Sequence, residues 1–431
     1  MDSNKKNILI IGCGGREHAL GWKLSQSKYA KNVYYAEGNG GTFSNINIKP
    51  VESKRLSLFA KEHECFTVVG PEIPLANGIV DLFIEEDLSI FGPTKGAALL
   101  ESSKIFAKHF MKQNQIPTAD FSTFSDIEKA KDYVLKQTNR LVIKADGLAA
   151  GKGVVVCDTQ DDALSALDLM MVQNKFGHAG QNVIIEERIF GEEASFIAIC
   201  DGMTIMPLAS SKDHKRIYDN DKGPNTGGMG SYSPATIIDS ELDRKIRKDI
   251  MEPTVRGMNK RGQPFKGFLY AGIMIDNARN QPYVLEYNVR MGDPECQPIM
   301  MRLKSDLFEY LQSSTEETLD SMQSLEWQNE ASVCVVMAAK GYPGSYEKGK
   351  LIRGLEPQLD RGTMIFHADT KRDQQNRIVT NGGRVLGVCA LGSNIQEAAL
   401  RAYSTVERIS WGRDQQHYRT DIGRITLPYQ K

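Results

Sequence analysis

The N-terminal part of the chain, residues 7–93, alternates short apolar runs with amphipathic segments, which predicts strands alternating with helices. The four predicted strands lie at 7–12, 33–36, 66–70 and 89–92. The three predicted helices lie at 16–27, 53–62 and 75–86. Such alternation is typical of a doubly wound parallel sheet, in which ligands bind at the carboxyl ends of the strands. Three of the strands run into glycine turns, so we expect a binding site along that edge.

The rest of the chain mixes helix and strand patterns and shows no fixed-period repeat. Further helices are predicted near 94–116, 161–173, 239–260 and 394–409. Further strands are predicted at 141–143, 154–156, 182–187, 194–200, 268–275, 283–289, 331–339, 364–367 and 384–391. A chain of 431 residues is too long for one core, and roughly 150 residues per domain gives about three domains. We predict an α/β fold, α+β in parts, with domains at 1–104, 105–328 and 329–431 and a compact subdomain at about 124–190.

Composition indicates an ordinary soluble globular protein, with 41% hydrophobic and 25% charged residues. The formal net charge of −1 gives no long-range attraction to nucleic acid or to an anionic membrane, so we expect neither as a partner. No apolar stretch approaches the ~18 residues that span a bilayer, and no signal-peptide pattern is present. The seven cysteines are scattered and form no C-x-x-C pair. Buried free thiols in a reducing cytosol explain them best, so we expect a cytoplasmic protein.

A glycine-rich loop with a lysine at each shoulder, Lys144 and Lys152, lies between two β-branched runs. Glycines let backbone N–H groups approach an anion closely, and lysines supply charge for phosphate oxygens. The spacing is not that of a P-loop, because only three residues separate Gly147 from Gly151 and Gly153 replaces the hydroxyl residue that binds Mg²⁺. We therefore predict a phosphate-binding flap between two antiparallel strands, in preference to a solvated surface hairpin.

The sequence Gly12-Cys-Gly14-Gly15-Arg16-Glu17 follows the first strand and opens a helix. It partly matches a dinucleotide fingerprint, and Glu37 stands where a ribose-binding acid would lie, but Glu17 occupies the third glycine position. A tight βα turn without a ligand is the plainer interpretation. We favour a turn whose N–H groups and helix N-terminus hold a phosphate that does not belong to a dinucleotide.

Polar side chains also mark the end of the strand predicted at 283–289. Glu286, Asn288 and Arg290 are expected to share one face, because alternate residues of a strand point the same way. A carboxylate and an amide oxygen suit Mg²⁺, and an arginine beside them can stabilise developing negative charge. The alternative is the polar outer face of an edge strand. The acidic strand end at 185–193 is weak evidence by itself, because exposed acidic strand ends are common. After a phosphate-binding flap, however, such a strand end can offer backbone groups to adenine and a carboxylate to the ribose hydroxyls.

The segment 211–231 is long, charged and rich in glycine. Long loops inside compact domains are usually functional or disordered, so we predict a substrate loop there. His214 lies in this segment, but no G-x-S-x-G sequence accompanies it, so a Ser–His–Asp triad is not indicated.

Together these segments resemble the ATP-grasp superfamily and, within it, the glycinamide ribonucleotide synthetases, almost end to end. The N-terminal blocks that carry the resemblance are Gly14-Gly15-Arg16-Glu17-His18-Ala19-Leu20, Gly70-Pro71-Glu72 and Phe91-Gly92-Pro93. The later blocks are Ile143 to Gly153, Gly191 to Phe196, Asp213 to Arg216, Gly223 to Gly230, Gly267 to Gly272, Gly292 to Glu295 and Thr380 to Val385. The resemblance implies that ATP, glycine and 5-phosphoribosylamine give glycinamide ribonucleotide, ADP and phosphate through glycyl phosphate, with Mg²⁺ or Mn²⁺. It also implies an N-terminal doubly wound domain, an ATP-grasp core with a mobile flap and a small mixed α/β C-terminal domain. For the oligomeric state, we expect a monomer or a weak homodimer.

The resemblance also implies the roles of individual residues. The implied ATP-binding residues are Lys104, Lys144, Gly147, Gly151, Lys152, Gly153, Glu186, Glu187, Ile189 and Glu193. The implied metal ligands are Glu286 and Asn288, and the implied catalytic residues are Arg290, Asp293 and Asp213. The implied substrate contacts are Gly14, Gly15, Arg16, Glu17, Lys215 and Arg290. Many ATP-grasp enzymes place another acidic ligand on the preceding strand, where this chain has Gly272, as in the resembled family.

Two positions depart from the usual sequence of that family. Met291 stands where phenylalanine is usual, an apolar exchange that should only repack its neighbours. Asp369 stands where glycine is usual, which argues against a positive φ or a close backbone approach there.

Three other functions are compatible with parts of the sequence. Another ATP-grasp ligase or carboxylase would use the same machinery with a different acceptor, but it leaves the Gly14–His18 block without a reason. A dinucleotide-dependent oxidoreductase explains the turn from Gly12 to Gly14 and Glu37, but it leaves the flap and the Glu286-x-Asn288-x-Arg290 strand unexplained. A binding module without catalysis is least favoured, because the candidate metal-binding and phosphate-binding residues are all present in the sequence.

Overall fold

The computed structural model describes residues 5–148, 153–173, 175–355 and 359–424. Gly151 and Lys152 of the predicted flap lie outside the described residues.

The N-terminal sheet is parallel and five-stranded. Its strands are β1 Lys6–Gly12, β2 Ala30–Glu37, β3 Asn45–Ile46, β4 Cys65–Val69 and β5 Ile90–Phe91. Its helices are α1 Gly15–Leu24, α2 Ser53–Glu62, α3 Glu72–Ala76 and α4 Ile79–Glu85. The strand order is β3-β2-β1-β4-β5, so the direction of winding reverses between β1 and β4. The carboxyl ends of these two strands therefore lie at the switch point where such folds bind ligands.

The flap subdomain is an antiparallel sheet covered by two helices. Two helices lead into it, α5 Leu99–Ser102 and α6 Lys104–Gln113. Its elements are β6 Phe121–Phe124, α7 Ile127–Leu135, β7 Leu141–Ala145, β8 Val154–Cys157, α8 Gln160–Leu167 and β9 Val183–Glu187. The strand order is β6-β9-β7-β8, and α8 continues into a π-helical turn, Asp168–Val172. Strands β7 and β8 pair antiparallel around the glycine-rich loop, as predicted.

The central sheet supplies the longest strands. The strands from here to the next helix are β10 Glu192–Asp201, β11 Ile205–Pro207, β12 Lys212–Asp213, β13 Arg216–Tyr218, β14 Lys222–Asn225 and β15 Gly230–Ser233. After α9 Ser240–Ile246, a π turn Arg247–Met251 and α10 Glu252–Lys260 come β16 Lys266–Asp276 and β17 Gln281–Asn288. The sheet has the order β11-β10-β16-β17 and is antiparallel. Its core is continuous with that of the N-terminal sheet, since Leu9 and Ile79 share one buried cluster with Phe196 and Leu269.

The C-terminal sheet is antiparallel and takes strands from two parts of the chain. The elements that follow β17 are α11 Cys296–Arg302, α12 Leu307–Thr315, β18 Ala331–Ala339, β19 Thr363–His367, β20 Thr370–Arg372, β21 Ile378–Thr380, β22 Arg384–Gly392, α13 Ile395–Val406 and β23 Gln416–His417. Strands β20 and β21 pair with each other in a separate hairpin. The order is β12-β15-β18-β22-β19, with β23 beside β18. Because β12 and β15 precede residue 328, this sheet crosses the boundary predicted between 328 and 329. The domain bounds therefore remain a prediction.

The fold class is confirmed, with differences in detail. The helix predicted at 75–86 breaks at Gly78, whose φ of +88° is left-handed. The segment 211–231, predicted as a loop, forms β12 to β15 because its backbone groups pair in short hairpins and with β18. Six cysteines are buried as predicted, whereas Cys13 is exposed. Across the described ranges no helix is both long and apolar enough to cross a bilayer.

Candidate active site

The base of the flap is fixed to the N-terminus of α6. Ser103 donates to Asp146 Oδ1 at 3.1 Å, and the Ile105 N–H donates to the same oxygen at 3.1 Å. Lys104 Nζ donates to the Gly147 carbonyl at 3.0 Å. A helix N-terminus carries partial positive charge and unsatisfied N–H groups, so it holds the carboxylate that directly follows β7. These contacts bring Lys104 to the start of the glycine-rich loop, as its predicted role requires.

A buried cluster of two lysines and one carboxylate lies behind the loop. Glu186 Oε2 lies 2.9 Å from Lys144 Nζ and 3.2 Å from Lys108 Nζ. Lys144 also donates to the Leu285 carbonyl at 2.9 Å, which ties the flap to β17. The second carboxylate oxygen, Glu186 Oε1, is buried and has no hydrogen-bond partner among the described residues. Buried polar atoms are nearly always paired, so this acceptor suits a donor on a ligand.

The remaining predicted nucleotide contacts lie on the chain between β9 and β10. Glu187 is exposed and accepts a hydrogen bond from Asn139 Nδ2 at 3.1 Å, and Ile189 is half-buried. Glu193 is the second residue of β10, and its Oε2 lies 3.0 Å from Lys215 Nζ. The Glu193 carboxylate is partly exposed, which leaves it accessible to hydroxyl groups.

Glu286 and Asn288 lie two residues apart near the end of β17 and are both half-buried, whereas Tyr287 between them is fully buried. They therefore share one face, as predicted. Gly272 on β16 pairs directly with Glu286, so it lies on the preceding strand, as the resemblance implied.

The charge on Glu286 is set by its surroundings. Burial raises the pKa of Glu286, but four cations together hold it below its ordinary value. These cations are Lys215, Lys104, Lys144 and Arg290. Among the described residues, the nearest ion-pair partner of this carboxylate is Lys215, whose Nζ lies 4.0 Å from Glu286 Oε1. An ionised carboxylate with an adjacent amide oxygen fits a hard divalent cation. The described residues hold no cluster of three His, Cys, Asp or Glu side chains, so phosphate oxygens and water would complete the coordination.

Asp213, at the end of β12, titrates near neutral pH. Burial raises the pKa of Asp213 to about 7; the positive charge of Lys215 opposes this shift, and the carboxylates of Glu295 and Glu193 add to it. Glu295 is itself fixed, because Tyr270 donates its hydroxyl proton to Glu295 Oε1 at 2.5 Å. A carboxyl group that ionises near pH 7 can exchange a proton with a substrate under physiological conditions.

Arg290 lies just beyond the end of β17, and two carboxylates hold its guanidinium. Nη2 lies 2.7 Å from Glu101 Oε1, and Nε lies 3.3 Å from Glu72 Oε2. Arg16 and Arg290 both donate to the Met291 carbonyl, at 3.1 and 3.3 Å. Arg290 is therefore anchored toward the N-terminal domain by Glu101 and Glu72. Strand β17 ends at Asn288, so the shared face of Arg290 and Glu286 stays a prediction, although the charge of Arg290 does act on Glu286.

Glu17 explains why the third fingerprint glycine is missing. Its carboxylate accepts from the Gly14 N–H at 2.7 Å and from Arg16 Nε at 2.6 Å. Its side chain fills the space where a Cβ on Gly12 or Gly70 would come within 2.5 and 2.0 Å of it. A dinucleotide turn keeps such space free for pyrophosphate. The prediction that the turn offers its N–H groups to phosphate is wrong for Gly14, whose N–H is already taken.

Asp293 joins the N-terminal turn to the C-terminal sheet. Its Oδ2 lies 3.4 Å from Arg384 Nη2, and its Oδ1 accepts from Gln297 Nε2 at 2.8 Å. A Cβ on Gly14 or Gly15 would lie 3.2 and 3.7 Å from its carboxylate oxygens. Burial raises the pKa of Asp293, but Arg384 and its other neighbours hold it below the ordinary value, so the group is ionised. The structure thus brings Asp293 beside two predicted substrate contacts.

Three residues of this site were missed at the level of sequence. Lys108 lies four residues after Lys104 on α6, and that spacing places both on one helix face, which is a signal that could have revealed it. Arg384 lies inside one of the resembling blocks but was assigned no role. Glu101 lies in an ordinary-looking helical segment, so nothing in the sequence marks it.

Neither departure from the family sequence disturbs the site. Met291 is fully buried in a hydrophobic cluster. Asp369 is not among the residues with positive φ, and its N–H donates to the Arg384 carbonyl at 2.9 Å. The expectation that the backbone at 369 needs no left-handed conformation is confirmed.

An antiparallel flap and a long central sheet that converge on a lysine–carboxylate cluster define the ATP-grasp class. Three family models match the chain, all from phosphoribosylglycinamide synthetase: the N domain at 6–101, the ATP-grasp (A) domain at 102–296 and the C domain at 332–425. The chain therefore belongs to the phosphoribosylglycinamide synthetase family, as the resemblance implied.

Individual relatives agree with the family match. A phosphoribosylamine–glycine ligase of Vibrio vulnificus is 50% identical over 424 residues, which cover 97% of each chain. The crystal structure of phosphoribosylamine–glycine ligase from Thermotoga maritima superposes with a TM-score of 0.83 at 34% identity, covering 96% of this chain and 99% of that one. A biotin carboxylase from Campylobacter jejuni gives a TM-score of 0.71 at 15% identity over 97% and 94% of the two chains, which shows a shared fold alone.

Proposed function

We propose that this enzyme joins glycine to 5-phosphoribosylamine with ATP, giving glycinamide ribonucleotide, ADP and phosphate in de novo purine synthesis. Membership of the family over its N, A and C domains supports the activity. The observation that carries the mechanism is that Lys215 Nζ lies 4.0 Å from the Glu286 carboxylate, and that the charges of Lys104 and Lys144 also lower the pKa of Glu286. Such a cluster of positive charge around one carboxylate suits a metal-bound triphosphate.

ATP binds between the flap and the central sheet in this proposal. Lys104, Lys144 and the loop from Gly147 to Gly153, including Lys152, bind the phosphates. Glu186, Glu187 and Ile189 form the adenine edge, and Glu193 meets the ribose hydroxyls. Glu286 and Asn288 would hold Mg²⁺ or Mn²⁺, and the bound ion would neutralise phosphate charge.

The first chemical step activates glycine. A glycine carboxylate oxygen attacks the γ-phosphorus, the bond to the leaving ADP oxygen breaks, and glycyl phosphate forms. Little covalent chemistry is asked of the protein, so positioning and charge neutralisation carry this step. Lys104, Lys144 and Arg290 supply that charge, and the flap excludes water that would hydrolyse the acyl phosphate.

The second step forms the amide. The amine nitrogen of phosphoribosylamine attacks the glycyl carbonyl carbon, and phosphate leaves with the former carboxylate oxygen. The amine loses a proton, which Asp213 can accept because its pKa of about 7 is matched to the task. The residues that border the proposed phosphoribosylamine site are Gly14, Gly15, Arg16, Glu17 and Asp293. Lys215, 3.0 Å from Glu193 and 4.0 Å from Glu286, is proposed to contact glycine or the amine.

Phosphate release from ATP tests the proposed reaction. Purified protein is assayed with Mg²⁺, glycine and freshly generated phosphoribosylamine, each omitted in turn. We expect phosphate release to need all three and glycinamide ribonucleotide to appear in equal amount. Turnover that persists without phosphoribosylamine would keep the ATP-grasp chemistry but refute this acceptor.

A further inference from the structure

A buried lysine outside the proposed catalytic set, Lys108, has all of its hydrogen-bonding capacity used within the protein. Lys108 is 2% exposed and lies on α6, four residues after Lys104. Its Nζ donates to Thr118 Oγ1 at 2.7 Å and to the Ala119 carbonyl at 3.3 Å, and it lies 3.2 Å from Glu186 Oε2. An ammonium group has three N–H donors. None is therefore left over for an ATP phosphate, so any effect of Lys108 on ATP must pass through a neighbour.

That neighbour is Glu186, which is held at only one of its two oxygens. Oε2 lies against both Lys144 and Lys108, whereas Oε1 is buried with no partner within the described part of the chain. Two cations on one oxygen fix the plane of the carboxylate, because a partial rotation about the Cγ–Cδ bond would lengthen both ion pairs. The consequence is a buried acceptor with a defined direction and nothing yet to accept from.

The support for Lys108 extends to the strand that carries the proposed metal ligands. Thr118, which accepts from Lys108, donates its own proton to the Val284 carbonyl at 2.8 Å. The Val284 N–H donates to the Pro117 carbonyl at 2.8 Å, and Val284 belongs to β17. Burial lowers the pKa of Lys108 to about 8, and Glu186 acts in the opposite direction. Lys108 is therefore mainly in its ammonium form at neutral pH, and Thr118 connects it to β17.

We propose that Lys108 is a positioning residue that sets the preference for adenine, by turning Glu186 so that Oε1 accepts from the 6-amino group of the base. This inference rests on the proposed function, in which Glu186 lies at the adenine edge. An ionised carboxylate oxygen can only accept, so it stabilises a base with an N–H donor there and disfavours a base without one. Without Lys108, Oε2 of Glu186 would keep one ion pair, to Lys144. That ion pair constrains the carboxylate less, because Lys144 also donates to the Leu285 carbonyl and, in the proposed function, to the ATP phosphates.

The test compares ATP with purine riboside 5′-triphosphate, in which a hydrogen replaces the 6-amino group. The measured quantity is the ratio of kcat/KM for the two nucleotides, with melting temperatures to verify folding. We expect Lys108→Met to lower this ratio by about tenfold or more, the order expected for a lost hydrogen bond to a charged group. Lys112→Met, at an exposed lysine one turn further along α6, serves as the matched control and should keep the ratio within about twofold. An unchanged ratio in Lys108→Met would overturn the inference, whether kcat/KM is kept with both nucleotides or falls equally with both.

A double-mutant cycle separates positioning from a merely structural role. Because Lys108 acts through Glu186, adding Lys108→Met to Glu186→Gln should leave the nucleotide ratio of the Glu186→Gln enzyme unchanged; a further fall contradicts the inference. If Lys108→Met does not fold, Lys108→Gln takes its place, with a smaller fall expected and an unchanged ratio contradicting the idea. Failure of the proposed function is distinct, since it shows in the wild type as phosphate release that does not need phosphoribosylamine.

Discussion

At the scale of single residues, the site depends on the balance of charge around Glu286. Its carboxylate stays ionised despite burial because four nearby cations lower its pKa, and two of these cations, Lys104 and Lys144, would also bind the ATP phosphates. We predict that Glu286→Ala abolishes ligation at saturating Mg²⁺ and leaves the melting temperature within a few degrees of wild type. Glu192→Ala removes a more exposed carboxylate, paired with Lys212, and should retain near-normal turnover. Near-normal turnover in Glu286→Ala would refute the metal assignment.

Lys144 provides a second residue-scale prediction. It contacts Glu186 and the Leu285 carbonyl, both on the nucleotide side of the site. Lys144→Ala should therefore raise KM for ATP by at least tenfold, since a charged hydrogen bond to phosphate is lost, with little change in KM for glycine. Steady-state kinetics with each substrate varied in turn provide the measurement. A change confined to glycine would contradict the role assigned to this lysine.

Asp213 makes the reaction dependent on pH. Burial raises the pKa of its carboxyl group to about 7, so the base form grows as pH rises through 7 and is lost below it. We expect kcat to rise with pH across this range in the wild type and the Asp213→Asn enzyme to be slow and to lack that rise. The raised pKa also means that the folded protein binds this proton more tightly than the unfolded chain. Asp213→Asn should therefore gain more in melting temperature at pH 8 than at pH 5, and an equal gain at both would contradict the assigned pKa.

At the scale of elements, periodicity predicted most helices and strands because each buries one face or both faces. What sequence could not supply was pairing between distant segments. Strands β12 and β15 join the C-terminal sheet through β18, so local pattern alone indicated a loop. The role of Glu17 was hidden for the same reason, since it fills space beside Gly70 from a different βα unit. Site residues that lie in contiguous motifs could be predicted from the sequence, whereas the contact of Glu101 with Arg290 is revealed only by the fold.

The junction between α6 and the flap yields an element-scale prediction. Asp146 accepts hydrogen bonds from Ser103 and Ile105 at the helix N-terminus. Asp146→Ala should cost about 1–2 kcal/mol of stability and raise KM for ATP, because the loop start and Lys104 lose their anchor. Asp126→Ala removes a comparable cap from α7, within the flap, and should lower stability similarly with KM for ATP unchanged. Equal KM values for ATP in the two variants would contradict the anchoring role.

At the scale of the whole molecule, three sheets and the flap bring distant segments to one place. The cores of the N-terminal and central sheets are continuous, and Asp293 borders the N-terminal turn while it binds Arg384 of the C-terminal sheet. The amine substrate is thus proposed to bind where three parts of the chain meet, next to the nucleotide. This arrangement suits a reaction in which an activated intermediate passes from ATP to a second acceptor without leaving the protein.

The transfer of oxygen from glycine tests this account most directly. Glycine labelled with ¹⁸O in both carboxylate oxygens is converted with ATP and phosphoribosylamine, and the phosphate product is analysed by mass spectrometry. Because the carboxylate oxygen that attacks the γ-phosphorus leaves with phosphate, we predict one ¹⁸O in each phosphate and one in each glycinamide ribonucleotide. Unlabelled phosphate would show that glycine is not activated as glycyl phosphate and would contradict the mechanism.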